Sequence, residues 1–289
     1  MDKNIYYKPS KIISYNGLFN FINGERGVGK TFSFKEFTAD QFIKKGHKFI
    51  YVRRYKTEIE NALFNGKIPS FYDKIKDLDK FKDYKMTNDK HTFYINKKAC
   101  GYAISLTTAP LIKSSEFKKV KYIIFDEYQI LEGSTYHYLN NEVTQFLELY
   151  ESIARMHDVK VFFLGNSMSI TNPYFKYFKI HVPYNSNFAK FKNGLIVVEY
   201  IKNLKYREEK RKTKFGQLID GTDYGNYAID NANLMDDKRF IAKKSINSRF
   251  LICLVMDGQY YGLWFDDKLM NLYISKSYKN NTYEIYTLN

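Results

Sequence analysis

Short apolar runs alternate with longer stretches of helical spacing through the first two hundred residues. Residues 18–23 (LFNFIN), 48–53 (KFIYVR), 120–127 (VKYIIFDE) and 159–166 (VKVFFLGN) are strand-length, apolar in their middles and polar at their C-terminal ends. Runs that are apolar on both faces suit strands at the buried centre of a parallel sheet. Between them, residues 30–45 carry Phe32, Phe34, Phe37, Phe42 and Ile43, and residues 140–156 carry Val143, Phe146, Leu147, Tyr150 and Ile153, both at helical spacing. Residues 56–84 follow a helical pattern broken by Gly66 and Pro69, and 91–96 with 101–107 read as a hairpin joined at Asn96-Lys97-Lys98. Strands alternating with helices predict an α/β fold with a mostly parallel central sheet.

The pattern changes near residue 200. After the strand-like LIVVEYI, residues 202–214 hold seven basic and two acidic residues and read as an exposed helix or linker. Beyond them, 250–256, 259–265 and 269–275 read as three short antiparallel strands, the first turn being Asp257-Gly258. The expected organisation is therefore a domain over 1–200, a basic linker over 201–220 and a small β-rich C-terminal domain over 221–289.

Charge narrows the class of partner. A formal net charge of +15 attracts polyanions, of which nucleic acid is the commonest large one. Cys100 and Cys253 stand far apart without metal-ligand spacing, so neither a disulfide framework nor a zinc site is expected. No apolar run approaches the ~18–20 residues a membrane span needs, and the opening MDKNIYYKPSK lacks a signal-peptide core. The protein is expected to stay in the cell that makes it, with no membrane partner. The many aromatic residues are expected mostly in the core, with Tyr6, Tyr7, Tyr136 and Tyr138 as candidates for stacking on a base.

The chemistry gathers at the strand ends. Gly24-Glu25-Arg26-Gly27-Val28-Gly29-Lys30-Thr31 matches GxxxxGK[ST] between a strand and a helix. Glycines let the backbone curl so that its N–H groups face phosphate, and the following helix adds its positive dipole end. Lys30 can reach the β- and γ-phosphates and Thr31 can ligate Mg²⁺. Asp126, ending the strand at 120–127, can hold the same ion, and Glu127 after it can act as general base on an attacking water. Asn166, at the end of the next apolar strand, can contact the γ-phosphate or that water. Arg155, closing the helix at 140–156, can serve as an arginine finger toward a neighbouring subunit or simply cap a helix C-terminus. Arg53 and Arg54 could meet phosphates of nucleotide or DNA. Lys56, Lys97, Lys98 and Lys113 are candidate contacts to the DNA backbone, giving affinity without sequence reading.

With these motifs in this order the chain resembles the additional-strand P-loop ATPases, and within them the DNA encapsidation ATPases of small podophages, relatives of large terminase subunits. GERGVGKT, FIYVRRY, YIIFDEY and VFFLGN carry the resemblance, which covers about residues 15–200. It implies an additional-strand P-loop NTPase whose sensor strand lies between the P-loop and Walker B strands. It also implies ATP with Mg²⁺, and a homo-oligomeric ring, five subunits expected, that drives double-stranded DNA through a viral portal into a procapsid. A scaffold RNA is a further candidate partner, and the host cytoplasm, with transient docking on the procapsid, the expected location. In this resemblance Arg155 falls on the trans-acting arginine and Lys113 on a basic position ahead of Walker B. Full-length terminases add a nuclease that needs clustered carboxylates. Here the tail offers only Asp257, Asp266-Asp267 and Glu284, so no nuclease activity is expected and the tail reads as a partner- or RNA-docking remnant. Two alternatives stand beside the motor: another nucleic-acid-dependent P-loop ATPase such as a helicase or replication protein, and a nucleotide-gated assembly adaptor.

Overall fold

The computed structural model describes residues 6–112, 117–130, 135–166, 172–182, 186–222, 224–225, 229, 243–256, 259–279 and 285–287. The chain forms two compact units, Met1–Asp236 and Asp237–Asn289. The first opens with α1 (Ser10–Ser14), β1 (Phe19–Asn23), α2 (Lys30–Lys45), β2 (Lys48–Arg53) and α3 (Lys56–Leu63). A small ladder, β3 (Phe64–Asn65) with β4 (Ile68–Pro69), leads to β5 (Met86–Asn88), β6 (Thr92–Ile95) and β7 (Lys98–Ser105). Then come β8 (Val120–Asp126), α4 (Glu142–Ala154), β9 (Lys160–Gly165), α5 (Pro173–Phe178), β10 (Phe188–Phe191), β11 (Ile196–Tyr200), α6 (Leu204–Lys212) and α7 (Lys214–Ile219).

Among the described residues, one nine-stranded sheet runs β10-β11-β1-β9-β8-β2-β7-β6-β5. The strands from β11 to β7 in that order are all parallel, and the outer pairings with β10, β6 and β5 are antiparallel. β9 lies between β1 and β8, pairing Phe21 with Phe163 and Ile124 with Phe162. All four predicted central strands are present.

Alternation along these strands builds a core on each face. Phe21, Phe125 and Phe163 point to the side covered by Phe146 of α4 and Tyr174 of α5, with the Phe21 and Phe163 rings stacked at 4.3 Å. Ile22, Ile124, Phe162 and Leu164 face Phe34 of α2 and the Phe71–Phe93 cluster. Covering both faces explains why these strands read as unbroken apolar runs. α2 ends where Gly46 takes φ 67° and donates to the Phe42 carbonyl, with Lys44 and Lys45 in the last turn.

The boundary between units comes later in the chain than 201–220. Those residues form α6 and α7 and belong to the first unit. They are held there because Arg207 and Tyr206 engage the glycine-rich loop. The second unit is the sheet β14-β13-β12-β15, from β12 (Arg249–Met256), β13 (Gln259–Asp266), β14 (Asn271–Ser275) and β15 (Ile285–Thr287). The first three are antiparallel, in line with the sequence pattern. Its turn Asp257-Gly258 and Glu284 lie outside the described residues.

Candidate functional site

A parallel sheet gathers the C-terminal ends of its strands along one edge, and here β1, β9, β8 and β2 deliver the motif residues there. β1 ends at Asn23 and the chain curls into α2. Gly27 and Gly29 hold φ of 85° and 96°, left-handed backbone that disfavours any Cβ, and Gly29 is the N-cap of α2. The first N–H groups of α2 have no partner within the helix and make a ready anion seat. Gly24 starts the loop tight against Ile201, whose Cβ would lie 2.6 Å from an added methyl. Val28 is buried and its carbonyl accepts from the Tyr7 amide at 2.9 Å.

Lys30 is buried, and its ammonium donates to the Gly24 and Glu25 carbonyls at 2.9 and 2.8 Å. Burial pushes its pKa down to about 8, against the opposing pull of Asp126, Glu25 and Glu127. The Thr31 hydroxyl donates to Asp126 at 3.0 Å. Asp126 also accepts from the Tyr51 hydroxyl at 2.7 Å and lies 3.6 Å from the Arg53 guanidinium. Glu127 turns out of the strand with φ 56°, and its carboxylate accepts from Arg53 at 2.7 Å. Arg53, which stands 3.8 Å from Glu58 as well, thus bridges the Asp126 and Glu127 carboxylates.

A hydroxyl and a carboxylate at this separation form a hard-oxygen donor pair that suits Mg²⁺, whose remaining ligands are typically phosphate oxygens and water. Among the described residues no group of three or more His, Cys, Asp or Glu side chains is arranged to hold a metal ion by itself. The donor set therefore fits an ion shared with a phosphate rather than an all-protein cage.

Arg54 does something different from its neighbour. It is 2% exposed and grips Glu142 through two hydrogen bonds, Nε to Oε2 at 2.7 Å and Nη2 to Oε1 at 2.9 Å. The same guanidinium donates to the carbonyls of Tyr128 at 2.6 Å and Glu127 at 3.3 Å. It cannot meet phosphate, contrary to the sequence expectation, because its donors are spent inside the core. Tyr128 is pinned a second time where its hydroxyl donates to Asn23 Oδ1 at 2.8 Å. The backbone that leaves Glu127 is thereby fixed.

Asn166 follows β9, and with Gly27, Gly29, Lys30 and Thr31 it lines one cavity of about 630 Å³. Gly165 before it is closely packed. An added Cβ would lie 2.5 Å from Gln129 Oε1 and 2.6 Å from Asn23 Oδ1. Glu25 sends its buried side chain to Arg207 of α6, with Nε to Oε1 at 2.6 Å, and the Tyr206 hydroxyl donates to the Arg26 carbonyl at 3.3 Å. Glu25 thus offers phosphate only its backbone.

The podovirus DNA encapsidation protein (Gp16) family matches this chain over residues 1–289. The chain belongs to that family. It is 36% identical over 289 residues to the DNA packaging protein of Bacillus phage phi29, covering all of this chain and 84% of that protein. It is 37% identical over 278 residues to the DNA packaging protein of Bacillus phage B103, covering 96% and 83%. Its structure is similar to a chain of the bacteriophage phi29 genome packaging motor assembly, with a TM-score of 0.70 at 34% identity, covering 99% of this chain and 84% of that one. The N-terminal domain of the phi29 DNA packaging ATPase matches with a TM-score of 0.62 at 31% identity, over 70% of this chain and 99% of that domain. The α/β fold with its mostly parallel sheet is thus the fold of packaging ATPases.

The other residues singled out in the sequence scatter around this centre. Arg155 is exposed and follows α4 with φ 49°. It precedes the N-terminal end of β9, so the length of that strand, roughly 20 Å for its six residues, separates it from the P-loop edge. Lys97 and Lys98 are exposed at the β6–β7 turn, also at the N-terminal edge. Lys56 is exposed at the start of α3 and lies 4.0 Å from Glu60. Lys113 lies outside the described residues. Of the base-stacking candidates, Tyr7 is buried and donates to Glu199 at 2.7 Å, whereas Tyr136 is exposed and stacks on Tyr55 at 5.2 Å.

Sequence reasoning missed Tyr51 and Arg53 as partners of Asp126 and Glu127. The run FIYVRRY shows both, but only the adjacency of β2 and β8, which pairs Val52 with Phe125, tells which side chains face Asp126.

Proposed function

We propose that this chain hydrolyses ATP with Mg²⁺ and, as a ring of subunits, five by resemblance, drives double-stranded DNA through a portal into a viral procapsid in the infected host. The observation that carries the reading is the cluster Thr31–Asp126–Arg53–Glu127 beside the glycine-rich loop and Asn166. Thr31 and Asp126 would hold the ion, which when bound neutralises charge between the β- and γ-phosphates. Lys30 and the loop amides hold the phosphates. Glu127 polarises water, which requires its carboxylate to leave Arg53, so Arg53 sets when the base is free. Asn166 orients the terminal phosphate or the water. Arg155, remote from the P-loop of its own chain, serves the nucleotide of a neighbouring subunit. Lys56, Lys97, Lys98 and Lys113 are proposed DNA backbone contacts, supported for the first three by their exposure.

The second unit is proposed to dock the portal or a structured RNA rather than to cut DNA. Asp266 caps its own turn, accepting from the Lys268 and Leu269 amides at 2.9 and 3.0 Å, and Asp267 pairs with Arg249 at 3.1 Å. These carboxylates are committed to the turn. β14 offers a docking surface, with Leu272 and Ile274 about 60% exposed.

ATP hydrolysis by the purified chain, with and without double-stranded DNA and across protein concentration, tests the reading. A rate per subunit that rises with both, with Glu127→Gln retaining ATP binding but losing turnover and Arg155→Ala inactive, is expected. Unchanged function of Glu127→Gln in packaging would favour the assembly adaptor instead.

A further inference from the structure

The cavity that holds the glycine-rich loop is longer than the loop. From Gly27, Gly29, Lys30 and Thr31 it continues past Lys35 of α2 to Asn61, Ser70, Lys74 and Asp73, whose carboxylate pairs with Lys76 at 2.8 Å. Lys35 lies one helical turn beyond Thr31, so both project from the same face of α2. The Lys35 side chain is half-buried, and among the described residues its ammonium meets the Phe71 carbonyl at 2.9 Å and the face of the Phe71 ring, 3.9 Å from its centroid. Among the described residues no carboxylate forms an ion pair with it, in contrast to Arg54, which is directly paired with Glu142. Burial pushes its pKa down to about 8, and the positive charges of Lys74 and Arg53 act in the same direction, while Asp126 and Asp73 oppose them. It remains a cation at neutral pH.

A desolvated cation without a carboxylate partner is costly to a fold. One that faces a cavity, with a second lysine on the wall, is relieved by an anion entering that cavity. The cavity is continuous with the seat of the terminal phosphate at Lys30 and Thr31 and is lined by Asn166 along the way.

We propose that Lys35 and Lys74 form a phosphate oxyanion subsite beyond the glycine-rich loop, which receives the inorganic phosphate split from the nucleotide before it leaves. The subsite rests on the ATPase reading for the source of its ligand. Hydrolysis of the terminal phosphoanhydride by water yields a nucleoside diphosphate and inorganic phosphate. The diphosphate keeps the loop amides and Lys30, and the phosphate passes to Lys35. The same oxyanion chemistry could come from a DNA backbone phosphate, and the two sources are separable by experiment.

The test is titration of inorganic phosphate into the full chain loaded with Mg-ADP, followed by calorimetry, which needs no turnover and so survives failure of the ATPase reading. Lys35→Gln is expected to weaken phosphate binding roughly tenfold or more, the worth of a hydrogen bond to a charged group. Lys35→Arg retains most of the affinity, and Lys74→Gln, altered at an exposed position that the fold does not need, weakens it by a smaller factor. Affinity for Mg-ADP, which uses the loop, stays within about twofold in all three. Phosphate affinity unchanged in both Lys35→Gln and Lys74→Gln overturns the proposal. So does the DNA arm, if these variants lose duplex DNA affinity at fixed salt while phosphate affinity is unaltered.

Discussion

Arg54→Met removes one side chain from two jobs, and the structure allows the two to be measured apart. Glu142, itself 2% exposed, keeps its charge in the core after the substitution, retaining only the Tyr174 hydroxyl at 2.9 Å and the Leu139 amide at 2.9 Å. Breaking one side of a buried ion pair costs about 3–5 kcal/mol, most of it from the stranded partner. For a unit the size of Met1–Asp236, each kcal/mol moves the melting temperature by about 2–4 °C, so a fall of roughly 6–20 °C is expected in a thermal melt. The double variant Arg54→Met/Glu142→Leu removes the stranded charge and recovers much of that loss, since apolar replacement of a buried pair is often near neutral. Activity does not follow. The Glu127 and Tyr128 carbonyls lose their donor in both variants, so ATP hydrolysis stays depressed in the refolded double variant. Arg54→Met melting within about 2 °C of the parent would refute the energetic argument, and a double variant hydrolysing ATP at the parental rate would refute the positioning argument.

Two further perturbations have clear signs. Burial pushes the Glu199 carboxyl from its ordinary 4.5 up to about 7, against the Tyr7 hydroxyl and Lys11 that favour its charge. The folded state therefore holds more protons than the unfolded one between those values. Stability is greatest below the lower pKa and falls as pH rises through the upper one, by on the order of 3 kcal/mol. Glu199→Gln should remove most of that slope between pH 5 and 8 in denaturant titrations, and an unchanged slope would count against it. Gly165→Ala places a methyl 2.5 Å from Gln129 Oε1 and 2.6 Å from Asn23 Oδ1. Overpacking of this kind costs typically 1–3 kcal/mol, and because the displaced residue precedes Asn166, turnover should fall with nucleotide affinity little changed. Parental stability and rate together would sink this expectation.

The motif residues were legible because each sits where a strand ends, and the apolar runs that mark the strands are unbroken by core geometry. The central strands and both main helices followed from periodicity alone. The partners of those residues were not legible. Arg53 and Arg54 are adjacent in sequence, yet successive strand-end side chains leave on opposite sides. One reaches Asp126 and Glu127, the other Glu142, and no local pattern distinguishes them. Nor does a run of seven basic residues reveal that Arg207 is spent on a buried glutamate of the glycine-rich loop itself, because composition registers charge and not its pairing. Lys35 was hidden for the same reason, reading as one more lysine on a helix. β10, α5 and β15 are too short or too irregular to carry a period, and only the finished sheet gives them a place.

β9 stands between β1 and β8, so the strand that leads into the glycine-rich loop and the strand that carries Asp126 are two strand spacings apart, about 10 Å. That interval is measured out by peptide N–H···O=C ladders, which are blind to which side chains hang from them. Substitution can accumulate on both faces of the sheet without changing the span between those two strands. Selection can then reshape what the protein grasps and what it docks upon while the reaction keeps its gauge.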